Sequence, residues 1–180
     1  MHNFKHVFKP WFAWKPERIE DYLEEMAAEG WQIDRVAMSL MWYRFEQSEL
    51  QRIRFCADYQ WKPDEEYEII LQDDGWTKVA QNSGWLLWKK EYEKVRPQLY
   101  TDKQSLIDRN RKIILVIGCS LLAQFPALMT NAFERLSLRY FGGWSLAGEI
   151  FSVMYFFLVM LMIYGLIRLV MVNHSLQTGS

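Results

Sequence analysis

The sequence predicts an α+β domain, a duplicated β-α-β-β unit with an antiparallel sheet, followed by a two-helix transmembrane hairpin. Three observations carry this expectation. A strand-helix-strand-strand order runs twice between Phe4 and Lys90, and a helix-ending Gly-Trp pair stands at the same place in each copy, Gly30-Trp31 and Gly75-Trp76. Beyond Lys112 the only charged residues are Glu134, Arg135, Arg139, Glu149 and Arg168. The first two mark an internal repeat, and the third marks a different solvent for the C-terminal part.

In the first copy, Phe4 to Phe8 reads as a short strand. Lys15-Pro16 opens a helix with an acidic first turn, because proline suits the first helical position and carboxylates complement the positive end of the dipole. Ile19, Tyr22, Leu23, Met26 and Ala27 follow at i, i+3, i+4, i+7 and i+8, the stripe of an amphipathic helix. Gly30 ends it, and Trp31 to Val36 and Leu40 to Glu46 read as the two strands of a hairpin.

The second copy begins with Arg52 to Tyr59, which alternates as a strand. Lys62-Pro63 opens another acidic helix with Tyr67, Ile70 and Leu71 on one face, and Gly75 caps it. Trp76 to Ala80 and Trp85 to Lys90 form a second hairpin, turned at Asn82-Ser83-Gly84. Tyr43 lies as far beyond Trp31 as Trp88 lies beyond Trp76, so the two copies share a register. The expectation is one antiparallel sheet with both helices on one face. A ferredoxin-like variant is the competing arrangement.

The C-terminal part reads as membrane. Ile113 to Phe133 is an uncharged run that spans about 30 Å at ~1.5 Å per residue, the thickness of a bilayer's hydrocarbon core. Ile150 to Ile167, extended past a snorkelling Arg168 to Val172, crosses back. The segment between them, Glu134 to Glu149, reads as a short loop with Gly142-Gly143 and an aromatic belt of Tyr140, Phe141 and Trp144. Lys103, Arg109, Arg111 and Lys112 precede the first span, whereas the loop offers Arg135 and Arg139, so both termini are expected on the cytoplasmic side. The competing reading is two buried helices of a soluble protein, which ordinarily carry a polar stripe. Gln124, Pro126 and Asn131 interrupt the first span and are expected to face the second helix or a partner. The predicted organisation is a cytoplasmic repeat domain over residues 1–95, a basic juxtamembrane linker or helix over 96–112, spans over 113–133 and 150–172, and a cytoplasmic tail over 173–180.

Composition narrows the function classes. A net charge of -1 gives no excess of Lys and Arg with which to release phosphate counterions, so nucleic acid is not expected as a partner. Cys56 and Cys119 are the only cysteines and form no disulfide framework or metal pair. The N-terminus lacks the long apolar stretch of a secretory signal. His2, His6 and His174 stand near the chain ends without ligand-spaced neighbours, and no phosphate loop, nucleophile elbow or zinc-protease motif occurs. No metal, cofactor or enzymatic activity is therefore expected. Cys56 would need His6 beside it to act as a nucleophile; otherwise it is an inert strand residue. The acidic pairs Glu24-Glu25, Glu65-Glu66 and Asp73-Asp74 read as dipole compensation and solvated faces.

Strand alternation places Ile53, Phe55, Ala57 and Tyr59 toward the helices and Arg52, Arg54, Cys56 and Asp58 away from them. Likewise Trp42, Arg44 and Glu46 lie opposite Tyr43 and Phe45. The candidate binding face is Trp42, Arg44, Glu46, Arg54, Asp58 and Trp85, where aromatic area supplies affinity and charges of both signs fix orientation. The alternative is that the tryptophans fill the core of a small domain.

The run Tyr22-Leu23-Glu24-Glu25-Met26-Ala27-Ala28-Glu29-Gly30-Trp31-Gln32-Ile33, with Tyr43-Arg44-Phe45, Ile53-Arg54-Phe55 and Asp74-Gly75-Trp76, resembles a bacterial family of uncharacterised membrane proteins. Tyr22 and Glu24 depart from the Trp and Asn that its pattern favours. The resemblance implies such a domain joined to C-terminal transmembrane helices and often encoded beside PadR-type transcriptional regulators, and it implies no catalytic residues. At the level of fold, the duplicated unit is also similar to GyrI-like domains, which bind bulky apolar cations between their repeats. Together these lead to a membrane-tethered sensor or adaptor in the bacterial cell membrane, recognising a protein partner, such as a PadR-type regulator or a transporter, or a small amphipathic ligand. The alternative is an accessory transporter subunit or immunity-type protein acting through its hairpin, with Gln124, Asn131 and Glu149 as the polar handles.

Overall fold

Each glycine that follows a helix near the N-terminus sits at positive φ, +85° at both Gly30 and Gly75, and each hands the chain directly to a strand. The computed structural model describes residues 3–37, 40–100, 103–130 and 146–178. It divides into two compact units, Met1–Arg109 and Asn110–Ser180.

The first unit runs β1 (Phe4–Phe8), α1 (Glu17–Ala28), β2 (Trp31–Ala37), β3 (Trp42–Gln47), β4 (Ile53–Tyr59), α2 (Glu65–Asp73), β5 (Thr77–Asn82) and β6 (Trp85–Glu91). These strands form two three-stranded antiparallel sheets, ordered β1-β3-β2 and β4-β6-β5, in place of the single sheet expected from sequence. The last strand of each half takes the centre of its own sheet, so β3 and β4 are consecutive without pairing. Each β-hairpin carries a register shift in its first strand, between Ile33 and Arg35 and between Lys78 and Ala80.

The helices also differ from expectation, for they do not share one face. Ile19, Leu23, Met26 and Ala27 of α1 pack into a core with Tyr43 and Phe45 of the first sheet and Ile53, Phe55 and Leu87 of the second. Leu71 of α2 packs with Cys56, Leu86, Trp88 and Trp76 on the opposite face of the second sheet. Alternation along β4 explains the split, since Ile53 and Phe55 point one way and Cys56 the other. Among the described residues the second sheet is thus covered on both faces, whereas the first is covered on one. On α2, Tyr67 and Leu71 face inward one turn apart, while Ile70 is left exposed.

The ends of the helices follow local chemistry. Asp64 caps α2 by accepting from the backbone N–H of Tyr67 at 2.7 Å. At its other end Trp76 N–H returns to the Leu71 carbonyl and Gly75 N–H to that of Gln72, each at 2.9 Å, the pair of bonds that a left-handed glycine permits.

The second unit continues α3 (Lys103–Ala123), which breaks at Gln124 and resumes over 125–130, and contains α4 (Leu146–Thr178). Pro126 carries no N–H for the preceding turn, which accounts for the break. The expected Gly-Gly aromatic loop falls largely within 131–145, outside the described residues. Residues 173–178, read from sequence as a tail, belong to α4. Both helices are long and apolar enough to cross a membrane. Large apolar side chains such as Leu115, Leu122, Phe151, Phe157 and Ile167 are exposed along them. The helices run antiparallel, with Asn110 Nδ2 donating to Asn173 Oδ1 at 3.4 Å and Gln124 Nε2 facing Met162 Sδ at 3.4 Å.

Candidate functional site

The six candidate residues separate into two places. Trp42, Arg44 and Glu46 share the uncovered face of the first sheet. Their partners across the strands are Phe8, His6 and Phe4 on β1, and residues directly opposite in an antiparallel pair point the same way. Phe4, Phe8 and Trp42 are each between 42% and 52% exposed, so three aromatic rings meet solvent on one small sheet face. Phe8 and Trp42 touch, with centroids 4.9 Å apart. The Arg44 guanidinium lies 5.2 Å from the Phe4 ring centroid and donates to Asp34, which fixes its position. A cation spread over a ring is a stable arrangement even with solvent access.

Arg54, Asp58 and Trp85 lie elsewhere, which corrects the expectation that Arg54 and Asp58 look out from an open face. That side of β4 is covered by α2 and by the chain that follows β6. Arg54 turns along the sheet edge to α1, bonding Glu20 at 2.7 Å and Glu24 at 2.5 Å. Burial works against its charge, but the two glutamates outweigh it and hold its pKa above the ordinary arginine value. β4 is an edge strand, and its free N–H groups are taken by these same carboxylates: Ala57 N donates to Glu20 at 3.0 Å and Phe55 N to Glu24 at 3.4 Å. Glu24 is therefore no solvated surface charge, contrary to its reading from sequence. Glu20, 3% exposed, has its pKa raised by burial, with Arg54 pulling the other way.

Asp58 is fully buried. One carboxylate oxygen accepts from Tyr59 N at 2.6 Å and from the Tyr100 hydroxyl, and the other from Gln60 Nε2 at 3.0 Å and from the Tyr67 hydroxyl. Burial and then the Asp58 charge raise the Tyr67 pKa, so this hydroxyl stays a donor. A buried carboxylate with four donors is an anchor for three chain segments. Trp85 is half-buried, edge-on to Trp11 at 4.6 Å and to Tyr59 at 5.3 Å, and belongs to the border of the first core.

Of the other tryptophans, Trp76 and Trp88 are core residues, Trp31 is half-buried against α1's core, and Trp61 is exposed. Cys56 is buried beside Trp88, and burial first, then Glu20, raises its thiol pKa, which keeps it protonated. His6 stands on the exposed face of the other sheet. Among the described residues no three His, Cys, Asp or Glu side chains converge as metal ligands would. Sequence reading missed Glu20 and Tyr100. Glu20 falls just outside the apolar stripe of α1, and nothing local ties Tyr100 to β4.

No curated protein and no solved structure matches the chain. A family model does match, over residues 15–122, which takes in both helices of the first unit, five of its six strands and most of α3. The chain belongs to this family, described as Protein of unknown function (DUF2812).

Proposed function

We propose that the protein is a membrane-anchored recognition module, a sensor or adaptor whose first sheet presents its uncovered face to a protein partner or a small amphipathic ligand. The observation that carries this reading is the exposed set of Phe4, Phe8 and Trp42 with Arg44 fixed among them. Exposed rings cost solvation, and a face that keeps them beside ordered charge suits a partner that is apolar and polar at once. In this reading the two apolar helices cross the bacterial cell membrane with both termini in the cytoplasm. The two β-α-β-β halves derive from one duplicated unit of the GyrI-like or ferredoxin-like kind, and the domain carries out no catalysis. A PadR-type regulator or a transporter is the protein partner to try, and a hydrophobic cation the small molecule. The test is tryptophan fluorescence of the full chain in detergent micelles during titration with each. A saturable change that disappears in Trp42→Phe supports the reading, and no change with any of them removes it.

The rival reading, a transporter subunit or immunity-type protein acting through its hairpin, gains less. Gln124, one of its polar handles, is directed at Met162 and at the Ser120 carbonyl of its own chain. Asn131 lies outside the described residues. Exchanging the hairpin for an unrelated two-span anchor separates the readings, since the recognition module keeps its function and a hairpin-borne subunit loses it.

A further inference from the structure

Away from the open face, polar contacts gather where the chain leaves β6 for α3. We propose that residues 96–100 and the first turns of α3, residues 103–109, form a releasable latch, in which Arg96, Tyr100 and Arg109 hold the approach to α3 against α1 and β4. The inference is independent of what the open face binds.

Arg96 reaches α1, donating to Glu24 at 3.0 Å and to Asp21 at 3.1 Å. Leu99 packs on the second core beside Leu71 and Trp88. Tyr100 donates its hydroxyl to the buried Asp58 of β4. The Arg109 guanidinium lies 5.5 Å from the Tyr100 ring centroid and 3.9 Å from Glu17 at the start of α1. Ile107 and Arg109, in the first turns of α3, are buried at 5% and 7% exposure. Arg96, Tyr100 and Arg109 are thereby fastened to α1 and β4, with Leu99 set on the second core between them.

Three features make the fastening separable. Tyr92 N–H still bonds the Arg52 carbonyl at 3.0 Å, but residues 93–100 contain no helix or strand that would bind them to the sheet as a ladder. The Arg96 side chain is itself 49% exposed and its pair with Asp21, 61% exposed, is solvated, so that only the bond to the more sheltered Glu24 holds it firmly. Asp58 keeps Tyr59 N, Gln60 and Tyr67 when Tyr100 leaves, and Arg54 keeps Glu20 and Glu24 when Arg96 leaves. Water can take the vacated positions, so release strands no buried charge. The latch thus decides whether residues 103–109 stay fastened to α1 and β4 or come free of them.

Hydrogen exchange of the full chain in detergent micelles, read by mass spectrometry, tests this. In Tyr100→Phe and in Arg96→Ala, exchange over 94–109 should rise about tenfold or more, the effect expected from losing one hydrogen bond to a charged group. Strands β3 and β6 should exchange as in the parent protein. Tyr67→Phe removes the other hydroxyl from Asp58 and should loosen α2 without opening 94–109. Unchanged exchange over 94–109 in both latch variants overturns the proposal. So does opening of β6 together with the segment, because 94–109 is then part of the cooperative core, and so does equal opening in Tyr67→Phe.

Discussion

Gly30 and Gly75 are equivalent in sequence and unequal in space. Both adopt φ +85°, which costs any residue with a Cβ about 1–2 kcal/mol. A Cβ on Gly30 would also lie 2.9 Å from the Ser48 carbonyl oxygen, a backbone atom, whereas on Gly75 it would meet only the flexible end of Lys90 at 3.6 Å. Gly75→Ala should therefore lower stability by about 1–2 kcal/mol and Gly30→Ala by clearly more, compared in thermal melts followed by circular dichroism. Glu20 gives a second residue-level prediction. Burial raises its pKa above the ordinary glutamate value, so the folded protein holds this proton more tightly than the unfolded chain. Its contribution is fully present below the unfolded pKa and is lost as pH rises through the raised folded one. The stability advantage of the parent protein over Glu20→Gln should thus shrink as pH rises, in melts taken across the acidic range. The stripe of α1 was legible from spacing alone, but Glu20 beside it was not, because its reason for burial is the edge of a strand distant in sequence.

Among elements, capping separates the two helices. Asp64 supplies α2 with a side-chain acceptor, while Pro16 before α1 offers none. Asp64→Ala should cost about 1 kcal/mol, measured as a shift in melting temperature. The positions of strands and helices were readable because period-2 and period-3.6 patterns, Pro openings and Gly stops are local signals. Which strands pair was not. Phe55 and Ala57 alternate as any paired strand does, and nothing near them in sequence says that glutamates of α1, not β3, will take their N–H groups. For the same reason alternation sets Trp42, Arg44 and Glu46 opposite Tyr43 and Phe45 but does not show that Arg54 is bound to α1 and Asp58 buried. A face is open only if no other element covers it, and α2 covers theirs.

For the whole molecule, the two apolar helices make a claim that fractionation can check. If they cross the bilayer, alkaline carbonate should leave the full chain in the membrane pellet, and recovery in the supernatant would remove the anchor. The central claim is the recognition face of the first sheet, and Trp61 provides its control. Trp61 is 68% exposed and Trp42 42%, yet Trp61 stands between β4 of the second sheet and α2 and is no residue of the first sheet's strands. The most direct measurement is the Kd of the full chain for a PadR-type regulator and for a hydrophobic cation, compared between Trp42→Ala and Trp61→Ala. Trp42→Ala should weaken binding about tenfold or more, as the loss of a buried aromatic anchor does, while Trp61→Ala should leave it unchanged. Equal effects at the two positions, or an effect at Trp61 alone, would contradict it.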